Sequence, residues 1–119
     1  MTDRITLTGL EVYAHHGVFD TERQNGQRFL IDVVAELELQ RAAANDALDQ
    51  TVHYGLLAEA IVSAAAEHPV DLIETLAERL ARVALGFAID RVTITVHKPG
   101  APITVPFADV SVTITRERG

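Results

Sequence analysis

The chain has 119 residues, 48% of them hydrophobic, and a formal net charge of -7, with its ten basic residues scattered rather than bunched. That is enough apolar material for one domain with a real core and too little chain for two, and it offers no basic tract for a nucleic acid backbone or an anionic membrane. The absence of cysteine excludes disulfides, thiolate metal sites and thiol nucleophiles. No signal-like pattern opens the chain and no apolar run is long enough for a bilayer, so a cytoplasmic protein is expected.

Ile5 to Ala14 reads as a strand. Ile5 and Leu7 alternate with Thr6 and Thr8, then the apolar face resumes one residue late with Leu10, Val12 and Ala14, which predicts a β-bulge at Gly9. From His15 to Gln27 the periodicity is lost and Gly17, Asp20, Asn25 and Gly26 gather, so a long connection is expected, of the kind that more often carries function. His15, His16 and Glu22 lie in it. Adjacent histidines point to opposite faces of an extended chain, a poor geometry for one metal, and a surface or loop-packing role is expected for the pair.

Phe29, Ile31, Val33, Ala35, Leu37 and Leu39 alternate with polar residues and predict a second strand, paired with the first as an antiparallel hairpin. Ala42 to Gln50 is a short Ala/Asp-rich connector with room for one helical turn. Tyr54 to Glu67 is helical by pattern, with Leu57, Ile61, Ala64 and Ala65 on one face, and His68-Pro69 ends it. A second helix opens at Asp71, spaces Ile73, Leu76, Leu80, Val83 and Phe87 by steps of three and four, and pairs Glu78 with Arg82 on its outer side. Arg91 to His97 is a strand, Lys98 to Ala108 a loop stiffened by Pro99, Pro102 and Pro106, and Val110 to Thr115 a last strand.

The order ββααββ implies an α+β fold: a four-stranded antiparallel sheet with two helices packed on one face. The other face is mostly Thr, Glu and Asp, and the edge strands are long and undefended. Edge-to-edge joining of sheets between subunits into a closed barrel would remove those edges and create a concave site where subunits meet.

Two stretches carry chemistry. In Asp71-Leu72-Ile73-Glu74 a carboxylate sits just inside a helix start, where unpaired N–H groups and the helix dipole favour an anion. Two readings are open: Asp71 and Glu74 have the spacing of a capping box, and Glu74 is equally suited to anchor a ligand. Nine of the ten basic residues are arginine, and two readings of the lone lysine, Lys98, are open: an accidental surface residue, or a place where a guanidinium does not substitute for a titratable amine.

Taken together, His16-Gly17 with Glu22, Gly26-Gln27 with Phe29 and Asp32, Thr51-Val52 with Tyr54, Leu72-Ile73-Glu74 with Leu76-Ala77-Glu78, and Lys98-Pro99 with Ala101-Pro102-Ile103 resemble the dihydroneopterin aldolase family. Each stretch alone is weak; five in this order over nearly the whole length are specific. The resemblance implies the tunnelling fold, a metal-independent retro-aldol lyase of folate biosynthesis with no cofactor and no Schiff base, and ring tetramers stacked into a homo-octamer with active sites between subunits. It implies Glu74 as the pterin anchor, with Leu72 and Ile73 meeting the ring through their backbone. Lys98 is then the acid-base group, Tyr54 a proton-transfer partner from a neighbouring subunit, flanked by Val52 and His53, and Glu22 orients the substrate side chain or a water. His53 departs from the acidic or amide residue more usual in the family.

Other readings remain in view. A zinc-dependent pyruvoyl-tetrahydropterin synthase type requires a His-x-His pair that the chain lacks. An epimerase of the triphosphate form requires a basic cluster where only Arg23 and Arg28 are offered, and a non-catalytic oligomeric pterin-binding module does not need both Tyr54 and Lys98.

Overall fold

The computed structural model describes residues 3–119. Its elements run β1 (Asp3–Ala14), α1 (Asp20–Asn25), β2 (Gln27–Leu37), α2 (Gln40–Asn45), a 3₁₀ turn (Leu48–Gln50), α3 (Tyr54–Ala66), α4 (Ile73–Leu85), β3 (Arg91–His97) and β4 (Ser111–Glu117). The strands form one sheet in the order β1-β2-β3-β4, each neighbour antiparallel. The period-two pattern of β2 and β3 sends Phe29, Ile31, Val33, Ala35, Leu37, Val92, Ile94 and Val96 to one face, all buried. Against them pack Leu57, Ile61 and Ala65 of α3 and Ile73, Leu76, Ala77, Leu80, Ala81 and Ala84 of α4. The alanines let α4 lie close to the sheet, and each large side chain buried there contributes about 1.5–3 kcal/mol.

The opposite face is held by polar pairs. Thr93 and Thr115 share a hydrogen bond of 2.9 Å, as do Thr95 and Thr113. Where the chain enters and leaves the Lys98 loop, His97 bonds Asp32 on β2 and Asp109 before β4, each at 2.7 Å. Donation to these two carboxylates, Asp32 first, raises the His97 pKa. Asp32 also accepts the Gly9 N–H at 2.8 Å. Gly9 has φ 69° and the β1–β2 register shifts between Leu7 and Leu10, so the bulge sits where the slipped alternation puts it.

Three expectations change and one open reading closes. The 15–27 connection contains α1, and the stretch after β2 holds α2 as well as a 3₁₀ turn, so among the described residues four α-helices stand where two helices and one helical turn are expected; both added helices are too short to show a period of 3.6. The second strand ends at Leu37, and Leu39 becomes the N-cap of α2. Asp71 and Glu74 do not form a capping box: the N-cap of α4 is Leu72, without a side-chain cap, while Asp71 bonds Arg23. Glu78 is bonded by Arg116 of β4, its carboxylate taking both Nε and Nη2 of the guanidinium, in place of the expected Arg82. A fork of that kind outweighs an exposed i,i+4 pair worth a few tenths of a kcal/mol.

Candidate active site

His97 faces the polar side of the sheet, so strand alternation turns the next residue, Lys98, toward the helices, where it is buried. Its own N–H donates to Val110 O at 2.8 Å, which fixes the start of the loop. Glu22, on α1, is buried too, and Lys98 Nζ lies 2.6 Å from Glu22 Oε2. The carboxylate is held at both oxygens. Oε1 accepts the Phe19 N–H at 3.2 Å, and Oε2 accepts the Gln27 amide at 3.1 Å as well as Lys98. Burial alone pushes the Glu22 pKa up, but the Lys98, Phe19 and Gln27 hydrogen bonds together outweigh it and hold the carboxyl below its ordinary value. The carboxylate bonded to Lys98 is thus that of Glu22.

Gly17 makes room for this arrangement. It has φ 152°, and a Cβ built there would lie 2.3 Å from Glu22 Cδ and Oε1. Gly17 N donates to Val70 O at 2.9 Å, and the neighbouring His16 ring bonds Val70 N at 3.0 Å and Ala65 O at 2.6 Å. Since Nδ1 accepts from an amide, Nε2 carries the proton, and burial lowers the His16 pKa, keeping the ring neutral. His16 thereby ties the end of β1 to the turn that enters α4. His15 bonds Arg23 O at 2.9 Å. The loop-packing role expected of the two histidines is the one they have.

Glu74 is the second residue of α4 and exposed, beside exposed Leu72 and buried Ile73. The first helical N–H groups to find a backbone partner are those of Thr75 and Leu76, both on Leu72 O. The amides ahead of them point outward, as a helix start requires. Arg23 of α1 reaches Asp71 and Gly17 O, so the Glu22 helix and the Glu74 helix start are joined.

The other predicted residues lie elsewhere. Val52, His53 and Tyr54 line a groove of about 570 Å³ with Ile5, Thr6, Leu7, Leu39, Leu48 and Thr51. His53 caps α3, its Nδ1 accepting the Leu56 N–H at 3.2 Å, and Tyr54 is exposed. The helices α3 and α4 form a hairpin, so their N-termini lie at opposite ends, about 20 Å apart for thirteen residues. Tyr54 shares its groove with Ile5 and Leu7, opposite Ala35 and Val33 of β2, whereas Lys98 follows His97, opposite Leu30, so within one chain the two stand toward opposite ends of the sheet.

The dihydroneopterin aldolase family model matches residues 5–115. The chain belongs to the dihydroneopterin aldolase family. It is 54% identical over 117 residues to the dihydroneopterin aldolase of Streptomyces coelicolor, covering 98% of each chain. It is 40% identical over 118 residues to that of Bacillus subtilis, again with 98% of each covered. The Escherichia coli dihydroneopterin aldolase, solved in complex with neopterin, superposes with a TM-score of 0.87 at 30% identity, over 96% of this chain and 98% of that one.

Sequence reasoning gave no role to Gly17 or Gln27, although both lie in stretches that carry the family likeness. The clearance of a carboxylate five residues away leaves no periodic mark, and a positive-φ glycine looks like any loop glycine. Gly17→Ala is expected to push the Glu22 carboxylate off Lys98 and to lower stability by about 3 kcal/mol, from backbone strain and a separated buried pair. Thermal melting with carboxyl-carbon NMR of Glu22 checks this; an unshifted Glu22 titration contradicts it.

Proposed function

We propose that this chain is a lyase that cleaves 7,8-dihydroneopterin by a retro-aldol step to 6-hydroxymethyl-7,8-dihydropterin and glycolaldehyde, in folate biosynthesis, and that it also epimerises the side chain. The observation that carries the reading is the buried Lys98–Glu22 pair, joined through Arg23 to the helix start that bears Glu74, in a member of this family. In the balanced step the 2′-hydroxyl gives up its proton, the C1′–C2′ electron pair moves through the ring C=N bond to the nitrogen, and that nitrogen is protonated as glycolaldehyde leaves. C1′ is then protonated and the ring nitrogen gives its proton back. The ring is its own electron sink, so no Schiff base, metal or cofactor is called for. Lys98 is the acid-base group, Glu22 orients it and the side-chain hydroxyls, and Glu74 with the backbone of Leu72 and Ile73 holds the donor edge of the ring.

Tyr54, with Val52 and His53, completes the site from a second copy of the chain. Support comes from the separation of the two halves within one chain and from exposed apolar side chains at both ends: Leu48, Tyr54 and Leu56 at one, Phe19, Leu72 and Ile103 at the other. Joining of the free β1 and β4 edges into a barrel, as a homotetramer or homo-octamer, brings such ends together. The triphosphate-epimerase reading is disfavoured because Arg23 is engaged with Asp71 and Gly17, and Arg28 lies 3.5 Å from Glu11. No helix of the described residues is long and apolar enough to cross a membrane, and work in the cytoplasm on a small soluble substrate fits that.

Glycolaldehyde release from dihydroneopterin, unchanged by a chelator, tests the reaction. Mixing inactive Tyr54→Phe and Lys98→Ala chains under reassembling conditions is expected to restore activity at sites where an intact Tyr54 meets an intact Lys98. No recovery in verified mixed assemblies would return the whole site to one chain.

A further inference from the structure

Gln27 opens β2 beside the Lys98–Glu22 pair, and its amide nitrogen donates to Glu22 Oε2, the same oxygen that Lys98 contacts. Its side-chain oxygen is buried and, among the described residues, has no hydrogen-bond partner. That oxygen lies under the Lys98 loop: a Cβ at Gly100 would come 3.1 Å from it. Turning the amide over would not relieve the orphan, because it would set a carbonyl oxygen against the Glu22 carboxylate. A buried acceptor left unpaired opposes folding, and the orientation that leaves it so is the one that grips Glu22.

We infer that Gln27 is a positioning residue of this site: its amide holds the Glu22 carboxylate in line with Lys98, at the expense of an unsatisfied oxygen beneath the loop. The inference rests on the aldolase reading for its kinetic consequences and on the geometry alone for its effect on Glu22. The two faces of the amide pull in opposite directions. The nitrogen serves the charge pair, and the oxygen detracts from stability, as at functional sites where local structure is kept for activity and not for the fold. A residue kept only for packing would do neither.

Gln27→Met, close in length and without polar atoms, separates these roles. The turnover number for glycolaldehyde release is expected to fall on the order of ten- to a hundredfold with KM within about twofold, because misplacing a group beside the chemistry acts on the transition state. The acid limb of the pH profile should move to higher pH, since Glu22 loses a donor to its ionised form, and the melting temperature should hold or rise. Gln27→Glu, isosteric with the native side chain, should move the acid limb further, as two adjacent carboxyls share one proton. Loss of turnover with a matching fall in melting temperature and an unmoved pH profile would make Gln27 a packing residue and overturn the inference. Carboxyl-carbon NMR of Glu22 in both variants gives a readout free of turnover: a raised titration supports the inference and an unmoved one overturns it, even if the parent protein releases no glycolaldehyde and the aldolase reading itself fails.

Discussion

In the proposed site, Lys98→Ala should lower the rate of dihydroneopterin cleavage on the order of a hundred- to ten-thousand-fold, the range of a lost general acid or base, while pterin affinity should change little with the proposed anchor, Glu74, intact. The structure adds a second effect. Lys98 is the cation bonded to buried Glu22, and its removal leaves that carboxylate with Phe19 N–H and Gln27 alone. Breaking a buried pair from one side costs about 3–5 kcal/mol, and the two remaining donors put this case at the lower end. The variant should therefore melt earlier, and its turnover must be read at a temperature where it is folded. Its acid sensitivity should also change. Glu22 titrates below its usual value in the native fold, so its stabilising contribution is complete above the ordinary carboxyl pKa and is lost as pH falls through the lowered one. Without Lys98 that loss should begin at higher pH. Lys98→Arg keeps the positive charge against Glu22 and should recover much of the stability but not the rate, since a guanidinium does not exchange its proton near neutral pH. Melting curves with single-turnover rates on both variants separate the two contributions. An Arg variant near full activity would reduce Lys98 to an electrostatic prop, and a borohydride-trapped adduct at Lys98 would replace ring-as-sink chemistry with a Schiff base.

The parts legible in the sequence are those where one physical rule acts over many residues. Alternation in Phe29–Leu37 and Val92–Val96 marks strands with one buried face, the phase slip at Gly9 marks the bulge, and the three-and-four spacing of Ile73, Leu76 and Leu80 marks the inner face of α4. Lys98 was legible for a compositional reason, as the one amine in an arginine-rich chain. The partner of that lysine was not. Glu22 is bonded to Lys98 only because α1 folds back under the end of β3, and α1 is six residues long, too short for a period or a stable helix in isolation. Besides the local Phe19 cap and the clearance at Gly17, it is fixed by contacts from distant parts of the chain: Arg23 to Asp71 and Glu22 to Lys98. The same holds for the choice between the two readings of Asp71 and Glu74. Asp71 has the right spacing to Glu74 for a cap, but a guanidinium from α1 competes for its carboxylate and takes it, and no local rule contains that competitor.

Loss of the capping role sharpens what Glu74→Gln should do. Had Glu74 belonged to a capping box, the substitution would weaken the start of α4 and lower stability by about 1 kcal/mol. In the folded chain Leu72 is the N-cap without a side-chain bond, and Glu74 stands exposed on the first turn, so glutamine removes only a favourable charge–dipole interaction of about 0.3–1 kcal/mol. Ligand binding is another matter. The pterin edge presents an amino group and a ring N–H, two donors that a carboxylate accepts together with charge assistance. An amide accepts one and turns its own donor toward the other, so neopterin affinity should fall by roughly 2–4 kcal/mol. Calorimetric titration with neopterin, run beside thermal melting, reads the two quantities on one sample. Affinity loss with an almost unchanged melting temperature is the expected pair of results. Normal affinity with a melting temperature well below the parent would instead make Glu74 a helix-stabilising residue and move the pterin anchor elsewhere.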